Sequence, residues 1–302
     1  MKLIKSITNC YQHLSSFGKL LVILSLLLLI VVAFKHSKPE GFNVNLTSDK
    51  FLFKQGTAVY DDFYAEIYDY LVFNTVRNDY EIGAIFNNTS PNEKSVVADI
   101  GCRTGHRVAD LSERNLQVIG IDVSPSMVEK AKTTFPDRNF KVGDAVDRFL
   151  FNTTSLTHVM CLDFSIYHIS DKAQFFNNCM AWLMPGGYLI VHLVDKYKVA
   201  PMLPTNMPLY SVSNKNHRHH AKIAFKDFMY NANFKLHDNN TATLDEKFKF
   251  RDGRVRKQEQ TLYIEDLPTI VQMAQDAGFI LHAKMDMVQC AHENQYLYVF
   301  VK

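Results

Sequence analysis

Residues 96–105 decide the fold of this chain, and they read Val-Val-Ala-Asp-Ile-Gly-Cys-Arg-Thr-Gly. The mainly apolar run at residues 96–100 predicts a buried strand, and the two glycines after it predict a tight turn into a helix. Glycine lets the backbone approach a ligand closely, and the free N–H groups at a helix start attract an anion. The stretch therefore predicts an α/β fold that binds a nucleotide-like ligand at the end of this strand.

The segments that follow continue an alternation of strands and helices. Pro125–Phe135 is predicted as a helix because Ser124 is a suitable N-cap for it. The predicted strands are Val96–Ile100, Gln117–Ile121, Asn139–Val142, Thr157–Leu162 and Tyr188–Val194. A last helix, Ile264–Ala277, is predicted before two closing strands near Phe279–Met287 and Tyr296–Val301. This alternation indicates a mainly parallel sheet that is covered by helices on both faces.

Two regions depart from the alternation. Residues 60–86 show a helical pattern rich in aromatic side chains before the first strand of the predicted sheet. Residues 196–262 contain three prolines and alternating segments such as Ala242–Phe250, so we expect an antiparallel insertion there. The folded domain is predicted to span residues 51–302, with the insertion at residues 196–262.

Acidic residues follow the second and third predicted strands. Asp122 comes at the end of the second strand, where an aspartate can accept two hydrogen bonds from a ribose diol. Asp144 follows the third strand, between Gly143 and Ala145. The sequence thus places an acidic group after each of two successive strands.

Four motifs in this order resemble those of the class I S-adenosylmethionine-dependent methyltransferases, over roughly residues 60–302. They read Asp99-Ile100-Gly101-Cys102-x-Thr104-Gly105, Gly120-Ile121-Asp122, Gly143-Asp144-Ala145 and Leu183-Met184-Pro185-Gly186-Gly187. One such motif alone is weakly specific, whereas four at the spacing of the family are specific. The resemblance implies a Rossmann-like seven-stranded sheet, methyltransferase activity and S-adenosylmethionine as the cofactor.

The resemblance also implies roles for the residues at the motif positions. Gly101 and Gly105 would frame the methionine part of the cofactor. Asp122 would hold the ribose, and Asp144 would meet the adenine amino group. The segment at residues 163–168 would border the methyl group, so the predicted catalytic residues are Asp163 and His168. The predicted cofactor-binding residues are Arg77, Asp99, Gly101, Cys102, Gly105, Asp122, Asp144 and Ala145.

Three of these residues have simpler alternatives. Arg77 lies upstream of the first motif, where the glycine N-methyltransferase type has an arginine that pairs with the cofactor carboxylate. An exposed charge on a helix explains Arg77 equally well. Asp163 could orient an acceptor or cap a turn. His168 could act as a general base or be a core residue at the end of the sheet.

Arg103 departs from the family pattern, which usually has glycine at this position. If the position requires a positive φ, a side chain there costs on the order of 1–2 kcal/mol. Arg103 could obstruct the cofactor, turn outward, or contact the cofactor carboxylate. A weakened or inactive site therefore remains an alternative to an active one.

Composition narrows the classes of partner. The formal net charge is +2, which does not resemble the basic footprint of a nucleic-acid binder, so no nucleic acid is expected. The five cysteines are scattered without paired spacing, which indicates neither a zinc site nor a disulfide framework. We expect no metal site and a reducing compartment for the folded domain.

The N-terminal region contains a long apolar run in place of the alternating strands and helices. Residues 1–19 form a short tail, and the run Leu20–Phe34 is apolar except for Ser25. A membrane-spanning helix needs about 20 mainly apolar residues, and Lys19 and Lys35 could place their amines at the two interfaces. A signal peptide or a buried helix is a weaker alternative. We expect one transmembrane helix at residues 20–34, followed by a polar linker at residues 35–50.

These observations predict a membrane-anchored S-adenosylmethionine-dependent methyltransferase. The acceptor is expected to be a small or lipophilic molecule that is reached from the membrane, to which the N-terminal helix attaches the protein. We expect a single-pass protein whose catalytic domain is cytosolic, because the cofactor is made there. The alternative is a catalytically weak or inactive membrane-tethered module that binds S-adenosylmethionine. A nicotinamide-dependent oxidoreductase is less favoured because the glycines do not follow the dinucleotide pattern.

Overall fold

The structure is a computed structural model, and it describes residues 15, 17–25, 50–198, 213–215 and 218–302. The chain divides into two compact units, Met1–Gly41 and Phe42–Lys302.

The N-terminal unit contains a helix at residues 17–25. Within this helix the side chains of Phe17 and Leu20 are 70% and 52% exposed. Residues 26–34 of the predicted transmembrane segment, most of the predicted tail and all of the predicted linker except residue 50 lie outside the described residues. Within the described ranges we find no helix that combines the length and the apolar character needed to cross a bilayer.

The second unit alternates strands and helices over its first half and becomes rich in strands over its second half. The described helices are α1 (Asp62–Leu71), α2 (Thr75–Thr89), α3 (His106–Ser112), α4 (Pro125–Thr134), α5 (Lys172–Trp182) and α6 (Leu267–Asp276). The described strands are β1 (Phe51–Gln55), β2 (Val96–Ile100), β3 (Gln117–Asp122), β4 (Asn139–Val142), β5 (Leu156–Cys161), β6 (Leu183–Val194), β7 (Ser213–Lys215), β8 (Arg218–Ala224), β9 (Phe228–Leu236), β10 (Thr241–Phe250), β11 (Val255–Tyr263), β12 (Ile280–Met287) and β13 (His292–Val301).

The larger sheet has seven strands in the order β12-β13-β6-β5-β2-β3-β4. Strands β4, β3, β2, β5 and β6 pair in parallel, and β13 pairs antiparallel with both β6 and β12. The strand order reverses between β2 and β5, and open α/β sheets bind their ligands at such a reversal. The mixed α/β fold with a large sheet is therefore confirmed.

Alternating residues of the larger sheet face two separate hydrophobic cores. On β5, Val159 and Cys161 belong to one core, whereas Met160 and the following Leu162 belong to the other. All four side chains are almost completely buried. Both faces of β5 are therefore covered, as expected for a parallel sheet, whose strands are apolar without strict alternation.

The smaller sheet has six strands in the order β1-β11-β10-β9-β8-β7. Strands β7 to β11 pair antiparallel within the region where an insertion was expected, and β1 adds to β11 in parallel. One face of this sheet packs on helix α1, where the ring of Phe63 lies 5.1 Å from Phe248 and 6.2 Å from Phe228 between centroids. This contact places α1 and the smaller sheet over the carboxyl ends of the parallel strands.

The aromatic region at residues 60–86 forms two helices rather than one. Helix α1 begins after Asp61, whose carboxylate accepts a hydrogen bond from Tyr64 N at 3.2 Å. Helix α2 begins after Asn74, whose side chain accepts from Arg77 N at 3.1 Å. Each cap satisfies a backbone N–H that has no partner within its helix, so the chain bends between α1 and α2.

Candidate functional site

A cavity of about 560 Å³ lies at the carboxyl ends of the parallel strands. Gly101 after β2, Asp122 at the end of β3 and Asp144 after β4 line one side of it. The other side is lined by residues that are distant in sequence, including Tyr60 and Gln260. The cavity is therefore shared between the parallel sheet and the smaller sheet.

The carboxylate of Asp122 is fixed by the backbone around it. Its Oδ2 accepts a hydrogen bond from Arg103 N at 3.1 Å, and its Oδ1 accepts from Ser124 N at 2.9 Å. The residue is 2% exposed and lines the cavity. A carboxylate offers about four lone-pair sites, so two sites remain for a diol on a ligand. The position suits the ribose role that the sequence predicts.

The glycine turn after β2 brings the backbone close to its neighbours. Gly101 has φ +73°, and its N–H donates to Ile121 O at 2.7 Å. Gly105 has φ +89°, and a side-chain Cβ there would lie 2.6 Å from the ring of Phe140. Cys102 is buried, and burial raises the pKa of its thiol well above the usual range. The thiol therefore stays protonated, which suits a small packing residue and not a nucleophile.

The loop after β4 contributes an exposed and a buried residue. Asp144 is exposed and lines the cavity, and its Oδ1 accepts from Val146 N at 3.1 Å. Ala145 is buried, and its carbonyl accepts from Asn178 Nδ2 at 3.0 Å. The loop is thereby attached to helix α5 and presents a carboxylate at the cavity rim, where the adenine contact is predicted.

Arg77 and Asp163 lie in a charged cluster beside the larger cavity. Arg77 Nε donates to Glu81 at 3.1 Å, and the Arg77 guanidinium also contacts the Asp163 carboxylate. Arg107 pairs with Glu81 at 2.6 Å and with Asp163 at 2.8 Å. The structure thus groups Asp163 with Arg77, apart from His168. Arg77 is 7% exposed, which excludes the alternative of a solvent-exposed helix charge.

Asp99 lies at the inner edge of this cluster. It is 1% exposed, its nearest cation is Arg107 at 3.7 Å, and neither of its oxygens has a hydrogen-bond partner among the described residues. Burial raises its pKa to about 6, against the opposing effect of Arg107. A buried carboxylate without partners is costly. Asp99 does not line the 560 Å³ cavity, so the structure does not bring it to the predicted cofactor site.

Arg103 lies between two cavities. It lines the 560 Å³ cavity and also a small one of about 30 Å³, which Arg77 and Asp163 line. Its backbone has φ +53°, and its guanidinium lies 4.7 Å over the ring of Tyr60 and 5.9 Å from that of Tyr68. The residue is 7% exposed, and its Nε has no hydrogen-bond partner among the described residues. The positive φ agrees with a position where the family has glycine.

His168 lines the larger cavity on the side of the smaller sheet. Its Nε2 lies 3.3 Å from the hydroxyl of Tyr60, and the two rings meet edge to face. Burial, and to a lesser degree the positive charges of Arg103 and Lys172, lower the pKa of His168 well below its usual range. The imidazole is therefore neutral at physiological pH and keeps a lone pair, while the same burial and positive charges disfavour its protonated form.

Apart from His168, the residues on the smaller-sheet side of the cavity belong to no sequence motif. Gln260 and Tyr263 come from β11, and Tyr60 comes from the turn before α1. The aromatic pattern at residues 60–86 predicted only helical structure, and Gln260 lies in a strand without a motif. Only the pairing of β11 with β10 and the packing of α1 bring these residues to His168. No local sequence signal could have found them.

Comparisons with known proteins agree with this geometry. Residues 97–187 match a family described as a methyltransferase domain. Trans-aconitate 2-methyltransferase of Escherichia coli O1:K1 is 29% identical over 111 residues, which are 33% of this chain and 40% of that protein. Ubiquinone biosynthesis O-methyltransferase of Rickettsia felis is 26% identical over 132 residues, which are 43% of this chain and 54% of that protein. The chain therefore spans about half or less of the length of these curated relatives.

The similarity to a solved structure extends beyond residues 97–187. An S-adenosylmethionine-dependent methyltransferase from Clostridium acetobutylicum has a TM-score of 0.61, and the similarity covers 79% of this chain and 97% of that one. The sequence identity is 17%, so this neighbour supports the fold. The resemblance to class I S-adenosylmethionine-dependent methyltransferases is confirmed by the domain match and by this fold.

Proposed function

We propose that this class I methyltransferase domain transfers a methyl group from S-adenosylmethionine to a small polar acceptor. The observation that carries the proposal is the shared cavity. On one side Asp122 offers free lone pairs to a ribose, and on the other side His168 offers a neutral imidazole to an acceptor. The domain match and the named methyltransferase relatives support the enzyme class and the cofactor.

We assign the cofactor contacts as follows. Asp122 holds the ribose hydroxyls, the Gly101 turn borders the methionine part, and Asp144 lies near the adenine. Arg103 takes the cofactor carboxylate, because its buried guanidinium has an unpartnered Nε beside the cavity. Arg77 is less available, since Glu81 and Asp163 already contact it.

Methyl transfer requires the protein to align the donor and the acceptor more than to activate either of them. S-adenosylmethionine supplies a methyl group on a sulfonium, and an acceptor atom displaces the thioether in line. The chain must therefore position the acceptor, exclude water and remove a proton where the acceptor carries one. His168 is the group that can take this proton, whereas Asp163 is already paired with two arginines.

The acceptor side of the cavity carries polar groups among a largely apolar lining, and these groups are the basis for proposing a polar acceptor. Thr57, Ser170, Gln260 and Thr261 line the cavity near His168. Polar groups that hydrogen-bond a substrate hydroxyl or amine reject analogues that lack it, because they would be left unpaired. The noncatalytic alternative is not favoured by the comparisons, whose named relatives are methyltransferases.

Transfer of label from S-adenosylmethionine tests the proposal. The full chain is incubated with S-adenosylmethionine that carries a tritiated methyl group and with a small-molecule extract, and the products are separated by size and polarity. We expect label in small polar products, and about 100-fold less of it when His168→Gln replaces the wild type. Binding of the cofactor without transfer to any fraction would contradict the enzymatic proposal and favour the binding-module alternative.

We also propose, from the sequence, that the run Leu20–Phe34 anchors the chain in a membrane with the catalytic domain on the cytosolic side. The unbroken apolar run and the cytosolic source of the cofactor support this. The full chain should resist carbonate extraction, while a chain that begins near residue 40 should not. Glycosylation at Asn87 or Asn239 in a eukaryotic host would overturn the cytosolic placement.

A further inference from the structure

A buried carboxylate in the smaller sheet lies at the centre of a hydrogen-bond network. Glu246 on β10 is 2% exposed. Its Oε1 accepts from Tyr64 at 3.0 Å and Tyr230 at 2.7 Å, and its Oε2 accepts from Gln258 at 2.6 Å and Gln260 at 2.9 Å. All four partners are donors, so the carboxylate is fully satisfied without a cation in direct contact.

The carboxylate fixes the orientation of the Gln260 amide. Glu246 can only accept, so the Gln260 atom that faces it must be the NH₂ group. The other end of the amide, Oε1, then faces the Tyr60 hydroxyl at 2.7 Å. An amide oxygen can only accept, so Tyr60 must donate its single proton to Gln260.

The direction of this bond determines the role of His168. The Tyr60 hydroxyl has no second proton to give, so its 3.3 Å contact with His168 Nε2 requires Nε2 to be the donor. Arg103, which lies over the Tyr60 ring, is also a donor only and cannot reverse the chain. A neutral imidazole that carries its proton on Nε2 has its lone pair on Nδ1.

We infer that Glu246, through Gln260 and Tyr60, holds His168 in the Nε2-protonated tautomer, so that Nδ1 acts as the base for an acceptor that must lose a proton. This inference rests on the proposed function and deepens it. The acceptor class is a hydroxyl or a protonated amine, and not a thioether or a tertiary amine, which have no proton to lose.

The step balances without any further reactant. The acceptor atom forms a bond to the methyl carbon as the bond from that carbon to the sulfonium sulfur breaks. The electron pair of the broken bond stays on sulfur, and S-adenosylhomocysteine is left neutral at that atom. A hydroxyl gives its proton to Nδ1 of His168 as the new bond forms, whereas an ammonium must give its proton to Nδ1 first, which leaves the nitrogen lone pair that attacks the methyl carbon. The imidazolium that forms donates from Nε2 to Tyr60, at the end of a chain that leads to a carboxylate.

Gln258 provides a matched control for Gln260. Both glutamines lie on β11, and both donate to the same oxygen of Glu246. Gln258 does not line the 560 Å³ cavity, and among the described residues its amide oxygen accepts from Arg256 Nε at 2.8 Å and not from Tyr60. Gln258→Met therefore removes a donor from Glu246 without interrupting the chain to His168.

The tautomer of His168 is measured by long-range ¹H–¹⁵N correlation spectra of the full chain labelled with ¹⁵N-histidine, and His168→Gln identifies the signal. We expect Nε2–H in the wild type and in Gln258→Met, and a mixture of tautomers in Gln260→Met. Transfer of label should fall at least tenfold in Gln260→Met and at most twofold in Gln258→Met. The dissociation constant for S-adenosylmethionine should stay within twofold in both variants.

A wild-type His168 that carries its proton on Nδ1 would overturn the inference, as would equal effects of the two glutamine variants. If Gln260→Met does not fold, Tyr60→Phe interrupts the same chain by removing one oxygen, and it should also give mixed tautomers. The tautomer is observable without cofactor. Failure of the proposed function, seen as an absence of cofactor binding, is therefore distinguishable from failure of this inference.

Discussion

The two sides of the cavity are built in different ways. The cofactor side consists of short loops that each follow a strand, so Gly101, Asp122 and Asp144 lie close to the strand that positions them. The acceptor side combines Tyr60, His168 and Gln260, which come from three distant parts of the chain. The first side can be recognised from local sequence, whereas the second exists only after the smaller sheet has packed on helix α1.

The two sides also differ in how completely their buried carboxylates are hydrogen-bonded. Beside the cofactor side, Asp99 has no hydrogen-bond partner among the described residues, and Asp163 and Phe164 adopt φ +50° and +63°. Beside the acceptor side, Glu246 accepts four hydrogen bonds. An incompletely satisfied cluster favours binding of a ligand, while a satisfied network favours rigidity. We therefore expect substitutions on the cofactor side to change binding and those on the acceptor side to change turnover.

The largest effect is expected at His168. His168→Gln should lower the transfer rate about 100-fold or more, because general-base catalysis contributes about 10²–10⁴-fold. The dissociation constant of S-adenosylmethionine should stay within twofold. His237→Gln is the matched control, since His237 follows β9, hydrogen-bonds Thr243 and does not line the cavity. A parallel loss of binding and turnover would contradict the division between the two sides.

The next effect is expected at Asp122. Asp122→Ala should weaken S-adenosylmethionine binding at least tenfold, or about 1.4 kcal/mol, because it removes two charge-assisted hydrogen bonds. Asp144→Ala should weaken binding less, since Asp144 is exposed to water. Calorimetry gives both constants, and Asp137→Ala on an exposed turn serves as the control. Equal losses for the two variants would show that burial of Asp122 does not matter.

The variant Arg103→Gly tests whether the Arg103 side chain binds the cofactor carboxylate or obstructs the cofactor. Arg103→Gly should weaken S-adenosylmethionine binding about tenfold, the lower part of the range for a charged hydrogen bond. Binding of adenosine, which has no carboxylate, should not change. Tighter binding of S-adenosylmethionine by Arg103→Gly would instead show that the side chain obstructs the cofactor.

Most of the larger sheet and of the cofactor side could be predicted from the sequence. The predicted strand Val96–Ile100 has the observed bounds, because an apolar run before a glycine turn determines it locally. The acceptor side could not be predicted in the same way, since Gln260 reaches the cavity only through the pairing of β11 with β10. The capping residue Asn74 divides the aromatic region into two helices, which periodicity alone did not indicate.

The smallest effect is expected in the dependence of stability on pH. Burial lowers the pKa of His158 to about 4 and that of His192 to about 3, while it raises the pKa of Asp99 to about 6. Below pH 6.5 the unfolded chain binds protons that the two buried histidines cannot accept, so stability falls as the pH falls. Asp99 has the opposite effect. Below pH 6 the folded chain takes up a proton at Asp99 that the unfolded chain does not yet bind, so this group raises stability as the pH falls. We expect the two histidines to outweigh it, with a Tm several degrees lower at pH 5 than at pH 7.

The variant Asp99→Asn sharpens this expectation. Of His158, His192 and Asp99, only Asp99 raises stability as the pH falls, and asparagine cannot take up that proton. The fall in Tm between pH 7 and pH 5 should therefore be larger in this variant than in the wild type. Melting curves at matched ionic strength measure the difference. A Tm that rises on acidification in the wild type would show that the carboxylate dominates.

Binding of S-adenosylmethionine by the full wild-type chain tests the central claim most directly. Titration calorimetry with S-adenosylmethionine, S-adenosylhomocysteine and NADH should give a single site for the first two, with a Kd below about 1 mM, and no binding of NADH. Absence of binding to both S-adenosylmethionine and S-adenosylhomocysteine at millimolar concentration, in the wild type and in Arg103→Gly alike, would contradict the account.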